Sequence, residues 1–181
     1  MRKLALALFA LGAGLILAGV FQRLAAWNGQ EAARIRWERK AVEGASKVNE
    51  DEALTRLSLP MRGVEFFVQK GATNENLLRG PVWVAWSGSP GKNGNCIIAA
   101  HRDTHFSVLK DVKKGERLIV ERSGRKYVYR IATIAVVNAP DNQYYQPTSG
   151  PVLTLVTCYP FSYLGRAPKR FIVRAILEAN S

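Results

Sequence analysis

The sequence predicts an all-β domain, closed as a barrel or sandwich, carried behind an N-terminal membrane helix. Three observations predict it. From about Ala53 onward, short apolar or alternating runs recur roughly every ten residues, separated by Gly, Pro, Asn and Ser. Two of these runs flank Ser123-Gly124, a β-hairpin signal. Before them, an uncharged apolar stretch extends from Leu4 to Phe21 behind Arg2 and Lys3.

At ~1.5 Å per residue that stretch makes a helix of ~27 Å, just able to cross a hydrocarbon core of ~30 Å. Residues 1–22 are read as an uncleaved signal anchor, with a cleaved signal peptide as the alternative. The run is longer than the ~7–15 apolar residues of a signal peptide, and no clear A-x-A site follows it. Trp27 suits the membrane–water interface. Arg23, Arg34, Arg36, Arg39 and Lys40 follow the span. A positive-inside count would therefore keep the C-terminal part in the cytoplasm, but long domains translocate largely regardless of charge, so the count does not fix orientation.

Residues 23–52 are read as a helical stalk or linker. The stretch to Asn49 is rich in Ala, Glu and Arg and has no proline. Ile35 and Trp37 are its few bulky apolar residues, too few for a core face, so a spacer is expected. Residues 53–181 form the β domain. "LTRLSLP" and "VEFFVQ" are its first strands, "NENLLRG" a short helical turn and "SGSPGKNG" a loop. "NCIIAA" is a strand ending at His101, and "SVLKDVKKGE" is a connection. "RLIVER" and "RKYVYRIATIAVVN" are the hairpin strands, "APDNQYYQPTSGP" is a turn-rich excursion, and "VLTLVT" and "RFIVRAILE" close the domain. That makes seven or so strands.

The chain has 181 residues, 48% of them apolar and 22% charged, which supports a packed core and excludes a disordered chain. Its net charge of +12 points to an anionic neighbour such as membrane headgroups, cell-wall polymer or nucleic acid. Charge alone does not choose among them.

Three residues could carry chemistry. Cys158, one of two cysteines, ends the run "TLVTC", where a strand gives way to the loop "YPFSYLGRAPK". A thiol at a strand end is held still and open to a cleft, and a nearby cation would raise its thiolate fraction. His101 has the same placement, at the end of "CIIAA" and the start of "HRDTHF". It is one of two histidines, the side chains suited to near-neutral acid–base work. His105 is the other, four residues into the connection. Arg170 opens the last strand, where its guanidinium reaches the thiol if the two strands are neighbours, and could steady a thiolate or an oxyanion. Lys169 and Arg174 are rivals for that role. Together the three fit a cysteine nucleophile with a histidine partner.

"TLVTC", His101 in "AAHRDTHF" and Arg170 in "RFIVRA" resemble the signature of the sortases, cysteine transpeptidases of bacterial cell envelopes. The resemblance covers residues 53–181. "LVTCYPF", "GRAPKRFIVRA" and "LLRGPVW" look most like sortases of Gram-negative proteobacteria, and next most like class D sortases. It implies a closed eight-stranded β-barrel with short helical connections. It also implies a protein substrate with an LPxTG-like C-terminal sorting signal, cut between Thr and Gly through a thioacyl-enzyme. An amine acceptor of the envelope, such as a peptidoglycan stem or precursor, would then take the acyl group.

By the same resemblance, Cys158 would attack the Thr–Gly carbonyl, His101 would move protons, and Arg170 would bind the signal backbone and support the oxyanion. Thr157 would shape the site, and Pro160 and Phe161 a groove wall. A single-pass protein of the bacterial inner membrane follows, a monomer with its catalytic domain on the periplasmic side. Cys96, five residues before His101, is expected to be buried and inert. Asp111 and Glu116 are too few and too separated for a metal site, and no cofactor is expected. A hydrolytic cysteine peptidase and a non-catalytic basic envelope-binding barrel stay open as alternatives. Nucleic acid is not expected as a partner: Tyr127 and Tyr129 alternate with basic residues as any strand would.

Overall fold

The computed structural model describes residues 2–43 and 54–178. Eight strands close into a barrel: β1 (Thr55–Leu59), β2 (Val64–Lys70), β3 (Val82–Trp83), β4 (Gly94–Ala99), β5 (Arg117–Arg122), β6 (Arg125–Asn138), β7 (Pro151–Tyr159) and β8 (Lys169–Leu177). Around the barrel they run β1-β2-β3-β4-β7-β8-β6-β5, and β5 pairs back onto β1. The β2–β3 and β4–β7 pairs are parallel and the rest antiparallel. Closure leaves no open sheet edge. The expected barrel is therefore present, with one strand more than the sequence rhythm shows. The additional strand is β3, whose two residues after Pro81 are too short to display a period.

The hairpin β5–β6 turns at Ser123-Gly124 as expected, with Ser123 itself at φ 49°. "NENLLRG" is the short helix α2 (Asn74–Arg79), capped where the Thr73 hydroxyl accepts from the Asn76 N–H at 3.1 Å. Inside the barrel, Leu57, Leu59, Ile98, Leu118, Val120, Tyr129, Leu153, Leu155 and Val173 are buried together. Tyr129 is fully buried, and its hydroxyl accepts the Gly91 N–H at 2.7 Å. The aromatic–basic alternation of β6 is thus the pleat of a core strand.

The N-terminal helix α1 (Arg2–Glu43) is continuous through both the apolar span and most of the expected stalk. Its first half is exposed, and it is long and apolar enough to cross a membrane. Its second half is not a free spacer: it docks on β2 and α2. The Gln30 amide makes three bonds, donating to the carbonyls of Phe67 and Arg79 at 3.1 Å each and accepting from the Phe67 N–H at 2.8 Å. Ala26 and Ala33 are buried, and Trp37 lies with its ring 6.0 Å from that of Phe67. Gly29 faces Arg79 so closely that a Cβ would meet that residue's main chain at 2.7–2.8 Å.

Positions 26, 29, 30, 33 and 37 share one helical face. Over this stretch the helix is docked through small residues, one amide and the Trp37 ring, a contact that a count of bulky apolar residues does not display. At ~0.5–1.5 kcal/mol per hydrogen bond, Gln30 alone contributes a few kcal/mol of docking. Residues 44–52, the rest of the expected linker, and residue 53 lie outside the described residues.

Candidate active site

The pleat decides which side chains meet. On β4 and at the residue after it, Cys96, Ile98 and Ala100 belong to the barrel interior, whereas Ile97 and Ala99 join an outer cluster. On β7 and β8 the same outer cluster takes Val156 and Ile172. Side chains two residues apart share a face. His101 therefore continues the outer row of Ile97 and Ala99, Cys158 continues that of Val156, and Arg170 precedes Ile172. The ladder aligns these rows. Ala99 pairs with Val156 across the parallel β4–β7 contact, and Cys158 pairs with Arg170 across the antiparallel β7–β8 contact. The cysteine and arginine are thus direct cross-strand neighbours.

His101, Cys158 and Arg170 line one cleft of about 460 Å³, together with Arg102, Asp103 and Arg166. The strand ends that carry the cysteine and histidine are tied together. The buried Thr157 hydroxyl donates to the Ala100 carbonyl at 2.8 Å, joining the residue before Cys158 to the residue before His101. Arg170 donates through Nη1 to the carbonyls of Ala167 and Lys169, at 3.2 and 3.0 Å. Its rivals lie elsewhere: Lys169 pairs with Tyr159, and Arg174 pairs with Thr154 and covers the Tyr144 ring at 5.8 Å.

Other expected residues are distributed less simply. Pro160 follows a cis peptide after Tyr159. Phe161 packs its ring 5.1 Å from Phe171 and 5.9 Å from Tyr159, against the interior cluster, and neither Pro160 nor Phe161 lines the cleft. Cys96 is buried, and burial pushes its thiol up to about 12 despite the opposing Arg122 guanidinium. Asp111 and Glu116 flank Arg62: Glu116 pairs with that guanidinium at 2.7 Å, and the Asp111 carbonyl accepts from it. His105, read as loosely placed, is instead buried at the start of a 3₁₀ turn (His105–Asp111), with Phe66 edge-on at 5.9 Å. Burial holds it below the usual histidine range, nearby His101 lowers it further, and a hydrogen bond to the backbone of Ala26 opposes both.

Two residues near the site escaped the sequence reading. Arg102 donates through Nη2 to the carbonyls of Tyr163 and Gly165, at 2.7 and 3.4 Å, and so fastens the β7–β8 loop over the cleft. Its position directly after His101 was the available signal. Tyr145, from the turn-rich excursion, packs partly buried against the outer cluster. Burial raises its phenol, Arg170 opposes the rise and Cys158 adds to it, which places the ring beside both groups. No local pattern marks it, because the fold alone brings residue 145 to the end of β7.

Fold and cleft define a class: a closed β-barrel thiol enzyme carried on an apolar N-terminal helix. The comparisons agree. The family model described as a sortase domain matches residues 57–178. Sortase D of Bacillus subtilis (strain 168) is 29% identical over 191 residues, covering 94% of this chain and 96% of that protein. A Clostridium perfringens sortase D5 transpeptidase superposes with a TM-score of 0.67 at 20% identity, covering 86% of this chain and 99% of that one. Sortase A from Corynebacterium diphtheriae superposes at 0.66 with 24% identity, over 73% and 63% of the two chains.

The chain belongs to the sortase family, the cysteine transpeptidases that sort proteins to the cell wall. Sortases act on LPxTG-type protein substrates and on amine acceptors of the wall. The class D likeness read from the sequence is supported by Sortase D of Bacillus subtilis. None of the relatives named here bears on the Gram-negative likeness.

Proposed function

We propose that this chain is a sortase in which Cys158 is the nucleophile, His101 the acid–base and Arg170 the oxyanion donor. The observation that carries the assignment is the cross-strand pairing of Cys158 with Arg170 in the cleft that His101 also lines. The Cys158 thiolate attacks the Thr carbonyl of an LPxTG-like C-terminal sorting signal. Negative charge grows on the carbonyl oxygen, and the Arg170 guanidinium offers it fixed, always-charged donors. As the tetrahedral adduct collapses, the Thr–Gly C–N bond breaks and His101 protonates the departing amine. A thioester on Cys158 remains.

An acceptor amine then attacks that thioester. His101 takes its proton, the C–S bond breaks, and the thiolate is restored as an amide forms. Thr157 holds the ends of β7 and β4 in register during both halves. Phe161, packed toward the interior, shapes the groove wall through its ring contacts with Phe171 and Tyr159, and Pro160 sets the turn between Tyr159 and Phe161. The setting is a bacterial inner (cytoplasmic) membrane crossed once by α1, with the barrel of a monomer on the extracytoplasmic side. The acceptor is a peptidoglycan stem or precursor amine.

Mass spectrometry of products tests the reaction. With a sorting-signal peptide and an added amine, the expected product is the amide of that amine with the Thr-terminated fragment. Only the hydrolysed acid, with or without the amine, would establish a hydrolytic peptidase instead.

A further inference from the structure

The apolar span ends at Phe21, and α1 continues without a break into the segment docked on the barrel. This continuity fixes a height. If Phe21 marks the hydrocarbon edge, Gln22 lies only ~1.5 Å beyond it and Trp27 ~9 Å beyond it along the helix. A headgroup layer is ~5–7 Å thick on each side. Two cavities join this stretch of helix to the barrel. A small one of about 100 Å³ is lined by Gln22 together with His101, Asp103 and Thr104. A larger one of about 430 Å³ lies between Arg23, Ala26 and Trp27 of the helix and Phe66, His105 and Val108 of the barrel. Thus the histidine of the cleft sits at the level of the first polar residue after the span.

We propose that the barrel rests on the bilayer with the face around His101, Asp103 and Ser107, and that docking of α1 through Gly29 and Gln30 holds it there. The partner of this surface is the lipid headgroup layer. Arg23, ~3 Å beyond the edge along the helix, lies within the headgroup layer, where a guanidinium is suited to stand, and Trp27 lies just past the outer margin of that layer. Asp103 is the carboxylate on this face, so neighbouring headgroups meet both signs of charge. The larger cavity is mainly apolar and is lined by Arg23, two residues past the span, so the headgroup layer adjoins it. The consequence rests on the proposed catalytic reading: the cleft admits clients and acceptors that are themselves held at the membrane surface.

The test uses the full chain in lipid nanodiscs of phosphatidylcholine and phosphatidylglycerol. A spin label is placed at Ser107→Cys in a Cys158→Ala background, where Cys96 is buried and does not label. Ser123→Cys, at the hairpin turn remote from the cleft, is the reference. A nickel chelate attached to lipid headgroups should relax the label at 107 strongly and the label at 123 weakly. Gly29→Ala keeps the helix but drives a Cβ into the Arg79 main chain. That variant, and Gln30→Ala, should reduce the relaxation at 107 to the reference level.

With Cys158 intact, Gly29→Ala should slow turnover of a membrane-inserted client several-fold and leave a soluble sorting peptide unaffected. Equal relaxation at 107 and 123 in the undisturbed chain would overturn the proposal, as would equal loss on both substrates. An undisturbed chain that turns over neither substrate contradicts the catalytic reading, and the spin-label result still decides the membrane face.

Discussion

Cys158 and Cys96 both lie at apolar strands, and the pleat separates their fates. Cys96 points into the barrel, where burial holds it as a thiol; Cys158 is half-buried on the outer face. Cys96 pairs with Leu153, five residues before Cys158, so the two are ~17 Å apart along the ladder and on opposite faces. A disulfide needs Cα atoms within ~7 Å, so oxidation does not join them in the fold. Arg170 stands opposite Cys158, and Arg174 stands two outer-face steps further on, past Ile172 and over Tyr144. Arg170→Ala should lower kcat about 10²–10³-fold, or ~2.7–4 kcal/mol, as expected for one oxyanion donor. Arg174→Ala should leave it nearly unchanged. Steady-state rates with a sorting-signal peptide measure both, and equal losses would remove Arg170 from the mechanism.

At the scale of elements, the 3₁₀ turn (His105–Asp111) adds a second contact between barrel and helix, beside the docking on β2 and α2. His105 is buried there, bonded to the backbone of Ala26, and is held below its ordinary value. Protonating it in place is therefore unfavourable. The unfolded chain binds that proton more readily, so stability is fully present above the ordinary histidine value of ~6.5 and is lost as pH falls below it. The melting temperature of the full chain in detergent should drop on acidification through that window, and His105→Gln should flatten the drop. An unaltered pH profile in the variant would assign the loss to other groups.

For the whole molecule, strand texture was legible because buried strands need apolar, β-branched runs and turns need Gly, Pro and Asn. The cleft was legible because its cysteine, histidine and arginine all stand at strand termini, where "TLVTC", "AAHRD" and "KRFIVRA" change from apolar to polar. The two-residue β3 was not legible, being too short for periodicity. Neither was the helix docking, which uses Ala26, Gly29 and Ala33, residues that carry no hydrophobic signal on a helix. Tyr145 was hidden for a different reason: only barrel closure carries it to Cys158 and Arg170.

The central claim is that one thiol, Cys158, carries the acyl group. Intact-protein mass spectrometry after mixing with a sorting-signal peptide, without an acceptor amine, tests it most directly. The account predicts a mass increase equal to the fragment ending at Thr, mapped to Cys158, absent in Cys158→Ala and retained in Cys96→Ala. An adduct on Cys96, or peptide cleavage that persists in Cys158→Ala, would contradict it.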